Sequence, residues 1–301
     1  MGQRLSLVRL ALPVAAALAL LQPGHGEAGG QVATMLSIEP VNAVYGDSVT
    51  VAASLTDADT GAGIPGQAIN FLVNGRFYSA VTNASGEAVL SGLRPGRLNA
   101  GTYDDGVQAR FDGHFGSTVY EPSTGSAAVV VERRPLRVIP AAVSREYGDE
   151  NPAAFAYRLE NFALSDDEHV LDSLPTCSTT AVPASDVGIY EITCDGLVAD
   201  NYVADYADGT LTVTPAPMLI KADDQSRRFG EANPPFTAKY VGRWKLGQGP
   251  AVLAGVLKCG TRVGAMKWTP PGVYEIFCTG QTASNYALKY VEGKLRIFPT
   301  R

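Results

Sequence analysis

Four cysteines carry the most definite chemistry in this chain. Cys177 and Cys194 lie in one stretch and Cys259 and Cys278 in another, at matching places. Four cysteines allow three pairings. A metal centre would need Cys and His ligands clustered at short spacing, and the sequence holds no Cys-x-x-Cys. The two stretches repeat one another, so each pair is expected to close within its own copy, as Cys177–Cys194 and Cys259–Cys278. Each bond would close a loop of under 20 residues, worth about 3 kcal/mol in the chain-entropy description. That is a large share of the stability of a small domain outside the cell.

Other reactive residue types are sparse or scattered. His114 and His169 stand far apart, neither in a Ser/His/Asp nor an HExxH context, and His25 lies near the start. No glycine-rich phosphate loop follows a strand and opens a helix. No catalytic, cofactor or metal site is expected, and the chain is not read as an enzyme. Acid pairs occur at Asp57-x-Asp59, Asp104-Asp105, Asp166-Asp167-Glu168 and Asp223-Asp224. Calcium wants six to eight oxygens, and joints between modules are one place to gather them. None of the pairs has the spacing of an EF-hand loop, and Asp is favoured in solvated turns by its own hydrogen bonding.

The elements that position these residues come in two copies. Arg145-Glu146-Tyr147-Gly148-Asp149-Glu150-Asn151-Pro152 returns as Arg227-Arg228-Phe229-Gly230-Glu231-Ala232-Asn233-Pro234. Val187-Gly188-Ile189-Tyr190 returns as Pro271-Gly272-Val273-Tyr274, and Asn201-Tyr202 as Asn285-Tyr286. Short runs rich in Val, Thr, Tyr and Ile, broken by Gly, Pro and Asp, predict strands throughout. The fold class is all-β: a sandwich over 34–132, then two small repeated domains over 135–214 and 217–298. In the first, Ser48–Leu55 alternates apolar and polar, and Asn74-Gly75 between two β-rich runs is a strong hairpin signal. Further strands are expected near Glu87–Leu93, Gly101–Phe111 and Ala127–Glu132. Arg133-Arg134-Pro135 and Thr214-Pro215-Ala216-Pro217 read as short proline linkers holding the modules in a semi-rigid row.

Residues 1–28 read as an export signal. Arg4 and Arg9 precede an apolar run of 12 residues, Leu10 to Leu21, and small residues follow. That run is shorter than the ~20 residues a spanning helix needs, and no later stretch is long or apolar enough, so no transmembrane segment is expected in the mature chain.

Several of these motifs resemble known families. Tyr45-Gly46-Asp47-Ser48-Val49-Thr50-Val51, Asn74-Gly75, Thr82-Asn83-Ala84-Ser85-Gly86-Glu87-Ala88, Gly101-Thr102-Tyr103 and Gly125-Ser126-Ala127 resemble a bacterial Ig-like domain. The sequence departs from that pattern at Asp104-Asp105-Gly106, where a bulge or short insertion is expected. The repeats resemble the bacterial MBG domain of the Tyr-Gly-x type. The first carries Tyr147-Gly148, Asn151-Pro152, Val187-Gly188-Ile189-Tyr190, Asn201-Tyr202 and Gly209-Thr210-Leu211-Thr212-Val213. The second departs at Phe229, at Pro271 and at the closing Gly293-Lys294-Leu295-Arg296-Ile297. The resemblance implies small β domains strung along secreted or surface proteins, often adhesin-like.

Charge separates the copies. Residues 134–216 carry a net −10 and residues 217–301 a net +8, and all seven lysines lie beyond residue 216. Two functional readings follow. The basic module contacts a cell-surface polysaccharide or another polyanion, or it meets the acidic module of another copy in a head-to-tail self-association. Nucleic acid is not expected as a partner. Lys258, Arg262, Lys267 and Trp268 are the candidate contact residues, with Trp268 placed in a loop insertion between the cysteines. Trp244 aligns with Phe162 and reads as core.

Overall fold

The computed structural model describes residues 30–94 and 98–300. The expected export segment at 1–28 lies outside them. The described chain is all-β, its helical content confined to the single 3-10 turns Glu168–Val170, Lys245–Gly247 and Pro250–Val252. No helix among the described residues is long and apolar enough to cross a membrane.

Two compact units divide the chain. Of the described residues, one comprises 30–39, 51–90 and 107–127. Within it Thr34–Ile38 pairs antiparallel with the strand that ends at Asp57, from Thr34 opposite Asp57 to Ile38 opposite Ala53. Ala68–Val73 forms a hairpin with Arg76–Val81. Asn74 and Gly75 both have positive φ, 45° and 73°, as a two-residue hairpin turn matched to strand twist requires. Ile69, Phe71 and Val73 point inward at every second position, as do Val51, Ala53 and Leu55.

Of the described residues, the other unit comprises 40–50, 91–94, 98–106 and 128–300. Val41–Val44 runs parallel to Val129–Glu132, and the two repeats follow. Each repeat is a sandwich with one topology. In the first, a three-stranded sheet orders Tyr157–Glu160, Arg134–Pro140 and Tyr202–Tyr206, and a four-stranded sheet orders Val143–Glu146, Gly209–Thr214, Gly188–Asp195 and Thr176–Thr179. In the second, the same places are taken by Ala238–Gly242, Ala216–Ala222 and Tyr286–Val291, and by Gln225–Arg228, Gly293–Phe298, Gly272–Thr282 and Ala254–Thr261.

The inner faces of both sandwiches alternate. Leu136, Val138, Ile192, Leu211 and Val213 fill the first, and Met218, Ile220, Ile276, Leu295 and Ile297 the second, all at most 3% exposed. Each such side chain contributes roughly 1.5–3 kcal/mol by leaving water. The linkers are shorter than the sequence suggested. Strands end at Glu132 and Thr214 and resume at Arg134 and Ala216, leaving only Arg133 and Pro215 between them. Arg134-Pro135 and Ala216-Pro217 have been drawn into the first strand of each repeat, paired in parallel with Tyr202-Val203 and Tyr286-Ala287.

Candidate functional site

The cysteines pair as expected, Cys177 with Cys194 and Cys259 with Cys278. Each pair sits directly opposite on neighbouring antiparallel strands. A second staple, built from Arg and Asn, holds the loop end of each repeat. Arg145 is buried; it donates to Asn151 Oδ1 (2.7 Å) and to the carbonyls of Glu146 (3.1 Å) and Val182 (2.6 Å), while Asn151 Nδ2 donates to Ala181 O (2.6 Å). Arg227 repeats this with Asn233 Oδ1 (2.6 Å) and the carbonyls of Arg228 (3.1 Å) and Met266 (2.5 Å), and Asn233 with Ala265 O (2.6 Å). A buried guanidinium whose N–H groups are met by carbonyl and amide oxygens costs far less than an unpaired one. This is the physical content of the repeated Arg-x-x-Gly-x-x-Asn-Pro stretch.

The next residues in that stretch form the joints between modules. Tyr147 N–H donates to Thr214 O (2.8 Å), which sets the Tyr147-Gly148 turn at the end of the first repeat. The Tyr147 ring packs edge-on against Tyr286 of the second repeat (5.8 Å), and Trp244 packs against Tyr286 from another side (5.2 Å). One buried cluster therefore draws Tyr147 and Val213 from the first repeat and Ala216, Met218 and Tyr286 from the second. Polar contacts fix the geometry. Gln248 Nε2 donates to the Tyr147 hydroxyl (2.8 Å), and the Tyr286 hydroxyl donates to Gln248 Oε1 (2.7 Å). Val187 N–H donates to Asn285 Oδ1 (3.0 Å), and Asn285 Nδ2 donates to Asp186 Oδ1 (2.7 Å). Lys245 Nζ reaches Asp149 (2.5 Å) and Glu146 (3.2 Å) of the first repeat. The hydrogen bond and charge of Asp149, with Glu146 adding to it, hold the Lys245 ammonium above its ordinary pKa.

The preceding joint uses the same parts. Tyr45 packs edge-on against Tyr202 (5.5 Å), and Phe162 stands where Trp244 stands in the next repeat (5.6 Å from Tyr202). Asp166 Oδ2 accepts from both the Tyr45 hydroxyl (3.0 Å) and the Tyr202 hydroxyl (2.7 Å). Burial, with Asp166 beside it, raises the Tyr202 phenol well above its usual range. Asn201 Oδ1 accepts from Ala100 N–H (2.8 Å), and its amide donates to Asn99 Oδ1 (3.1 Å). The glycines after the tyrosines serve the approach as well as the turn. Gly46 and Gly148 have φ of 85° and 81°, and an added Cβ would overlap Ala163 and Lys245 respectively. Phe162 and Trp244 are thus half-buried joint residues rather than interior core. Sequence reading placed the linkers but not the contacts made across them. The retained Tyr-Gly and Asn-Tyr pairs were the available signal, and nothing local says that one pair meets the other across a linker.

The four candidate contact residues fare differently. Lys267 and Trp268 come together, the Lys267 ammonium 4.9 Å from the centroid of the Trp268 ring, which is 67% exposed. The ring also meets Phe229 edge-on (5.8 Å). Lys258 is exposed on the strand Ala254–Thr261, opposite Thr279. Arg262 is engaged by Glu292 and by Glu275 (3.2 Å), which hold its guanidinium above its ordinary pKa, Glu292 the more strongly. One placement is corrected. The span between the cysteines is 19 residues in the second repeat against 17 in the first. Matching contacts set Thr261 with Thr179 and Ala265 with Ala181, so the extra residues fall within Arg262–Gly264. Thr269 matches Ser185 by the same bond to the third residue before it. Trp268 therefore replaces Ala184 and is not part of an insertion.

Several of the acid-pair carboxylates accept hydrogen bonds, Asp166 at the joint described above. Asp57 Oδ1 accepts from the N–H groups of Asp59 (2.9 Å) and Thr60 (2.8 Å), which lower its pKa. Asp167 Oδ1 accepts from His169 N–H (3.0 Å), Asp223 Oδ2 from the Thr237 hydroxyl (2.7 Å) and Asp224 Oδ1 from Lys294 N–H (2.8 Å). Among the described residues no three His, Cys, Asp or Glu side chains gather closely enough to hold a metal ion.

Two disulfide-stapled sandwiches of one topology, locked end to end, define a tandem β-repeat protein. The profile of the MBG domain (YGX type) matches residues 136–212 and again 218–296; the chain belongs to this family. No curated protein matches the sequence. Solved structures that match include the I-band fragment I67-I69 of titin, at 11% identity over 89% of this chain and 99% of that one, with a TM-score of 0.30. A 1.5-MDa bacterial ice-binding adhesin matches at 10% identity over 91% and 100%, with a TM-score of 0.29. A Ca2+-stabilized adhesin of an Antarctic bacterium matches at 11% identity over 91% and 75%, with a TM-score of 0.33. Likenesses of this size carry no weight for fold or function.

Proposed function

We propose that this is an exported modular β protein with a structural, adhesion-like role outside the cell, at the surface, in the periplasm or in the medium. In this reading residues 1–28 direct export, 34–132 form an Ig-like domain, and the repeats act as a braced spacer whose basic second copy contacts a polyanionic or glycan surface. The observation that carries the spacer is the buried cluster shared by both repeats, with a single proline between their strands. Two disulfides support an oxidising compartment. The contact surface rests on the net +8 of residues 217–301 and on the exposed Lys267–Trp268 pair, with Lys258 as a further free cation. Arg262 contributes less because two carboxylates already face it.

Chromatography of the full chain on immobilised heparin tests the contact. Retention at low ionic strength that salt releases, lost in a Lys258→Ser, Lys267→Ser, Trp268→Ala variant and kept in Arg262→Ser, is the expected result. Flow-through of the unaltered chain would remove the polyanion from the proposal and leave the spacer. Head-to-tail assembly is the second reading, favoured by the opposite charges of the repeats. Part of that attraction is already used within the chain, where Lys245 meets Glu146 and Asp149. Assembly predicts oligomers in sedimentation velocity that grow as ionic strength falls.

A further inference from the structure

The end of the second repeat is a copy of the face through which the first repeat grips its successor. Strands, turn and staple superpose in their contacts. Phe229 N–H donates to Phe298 O (2.8 Å) as Tyr147 does to Thr214 O, and Gly230 N–H to Lys267 O (3.1 Å) as Gly148 does to Pro183 O (3.1 Å). Gly230 keeps its positive φ of 88°. The Tyr274 hydroxyl donates to Pro270 O (2.9 Å) as Tyr190 does to Asp186 O (2.8 Å). Everything that folds this end is retained. Pro299 even stands where Pro215 links the two repeats, one residue beyond the closing strand.

Most of the groups that grip a successor are replaced, although the apolar Val213 and Tyr190 have counterparts in Ile297 and Tyr274. Tyr147, whose hydroxyl accepts from Gln248, becomes Phe229, which has no acceptor. Asp186, which accepts from Asn285 Nδ2, becomes Pro270. Val187, which donates its N–H to Asn285 Oδ1, becomes Pro271, which has no N–H to give. Glu146, which faces Lys245, becomes Arg228, and the match of Asp149 is Glu231, turned back to accept from Arg228 N–H (2.7 Å). Ala184 becomes Trp268. Where Lys245 of the next module lies against Gly148, the nearest neighbour of an added Cβ at Gly230 is the edge of the Trp268 ring, at 3.6 Å. An incoming Asn-Tyr socket would leave its asparagine unpaired at both ends, meet a cation with its own lysine, and have to displace an indole.

We infer that the second repeat is a closing module: its outer face has been converted from a joint into a surface that refuses a further module of this family, with Arg228, Phe229, Trp268, Pro270 and Pro271 as the residues that decide it. The inference rests on the contrast between the two repeats and holds whatever ligand the protein meets.

The test is a fusion in which a second copy of residues 216–301 follows Pro299 of the full chain. Residual dipolar couplings report whether the added copy shares the alignment of its predecessor. With the natural face the added copy is expected to align independently. With Arg228→Glu, Phe229→Tyr, Trp268→Ala, Pro270→Asp and Pro271→Val it is expected to adopt the common alignment. The reciprocal exchange needs no fusion: Glu146→Arg, Tyr147→Phe, Ala184→Trp, Asp186→Pro and Val187→Pro in the natural chain should uncouple the two repeats while each keeps its own protected amides. Docking of the added copy on the natural face would overturn the inference. So would a joint between the natural repeats that survives the reciprocal exchange.

Discussion

The ends of the two repeats are built on one plan and meet different neighbours. At the first, Tyr147-Gly148 enters a socket of Trp244, Tyr286, Gln248 and Asn285. At the second, Phe229-Gly230 is covered by Trp268 of its own module. The contrast separates two roles that a single motif mixes. The arginine, the asparagine, the glycine and the later tyrosine persist in both copies because they fold the loops. The tyrosine before the glycine, and a side-chain acceptor followed by a backbone N–H (Asp186-Val187, and Asn99-Ala100 at the preceding joint), occur where a module docks and are lost at the second end. A change in those positions is therefore a statement about neighbours, not about the fold.

The largest expected effect falls on the shared part and should be equal at both ends. Arg145→Met and Arg227→Met each strand a half-buried asparagine and the carbonyls the guanidinium meets, at a cost of roughly 3 kcal/mol. Hydrogen exchange of each repeat should show similar losses, and a loss in one repeat only would break the comparison. Next comes the glycine. Gly148→Ala adds a Cβ that collides with Lys245 at a left-handed φ, for about 3 kcal/mol of joint and turn together, against about 1 kcal/mol for Gly230→Ala, where only the backbone strain applies. Tyr147→Phe removes the acceptor of Gln248 and should weaken the joint by about 1 kcal/mol, whereas Phe229→Tyr should leave the melting of the second repeat unchanged.

The smallest effect is electrostatic and shows at alkaline pH. Lys245 and Tyr202 both hold their protons more tightly in the folded chain, Lys245 through Asp149 and Tyr202 through burial. Stabilisation from a raised pKa is fully present below the unfolded value, which is about 10 for both groups, and is lost as pH climbs through the folded value. Joint stability should therefore stay level between neutral pH and about 10 in this respect and fall above it. Lys245→Met should remove the lysine share of that fall, read as a flatter alkaline limb in thermal melts.

Much of the fold was legible in the residues. The pairing of Cys177 with Cys194 followed from the repeat, the hairpin from Asn74-Gly75, and the all-β class from the spacing of turn residues. The joints were not, because the contact of Tyr147 with Tyr286 lies far apart in sequence and depends on the angle at which one module leaves the other. The linkers were overestimated for a related reason: proline at 135 and 217 reads as linker chemistry, yet it is tolerated in a strand that pairs through its other neighbours. Trp268 looked like an insertion because the count between cysteines gives the length difference without its place. The backbone at Leu164 and Leu246, with φ of 56° and 55°, carries no local sequence signal, since leucine is a poor choice for that conformation.

The reciprocal joint is tested most directly by residual dipolar couplings of backbone amides in residues 134–214 and 216–298 of the unaltered chain, compared with Tyr147→Ala. One alignment tensor should fit both repeats in the natural protein, and two should be needed in the variant. Two unrelated tensors in the natural protein would contradict a joint held by Tyr147, Tyr286 and Asn285.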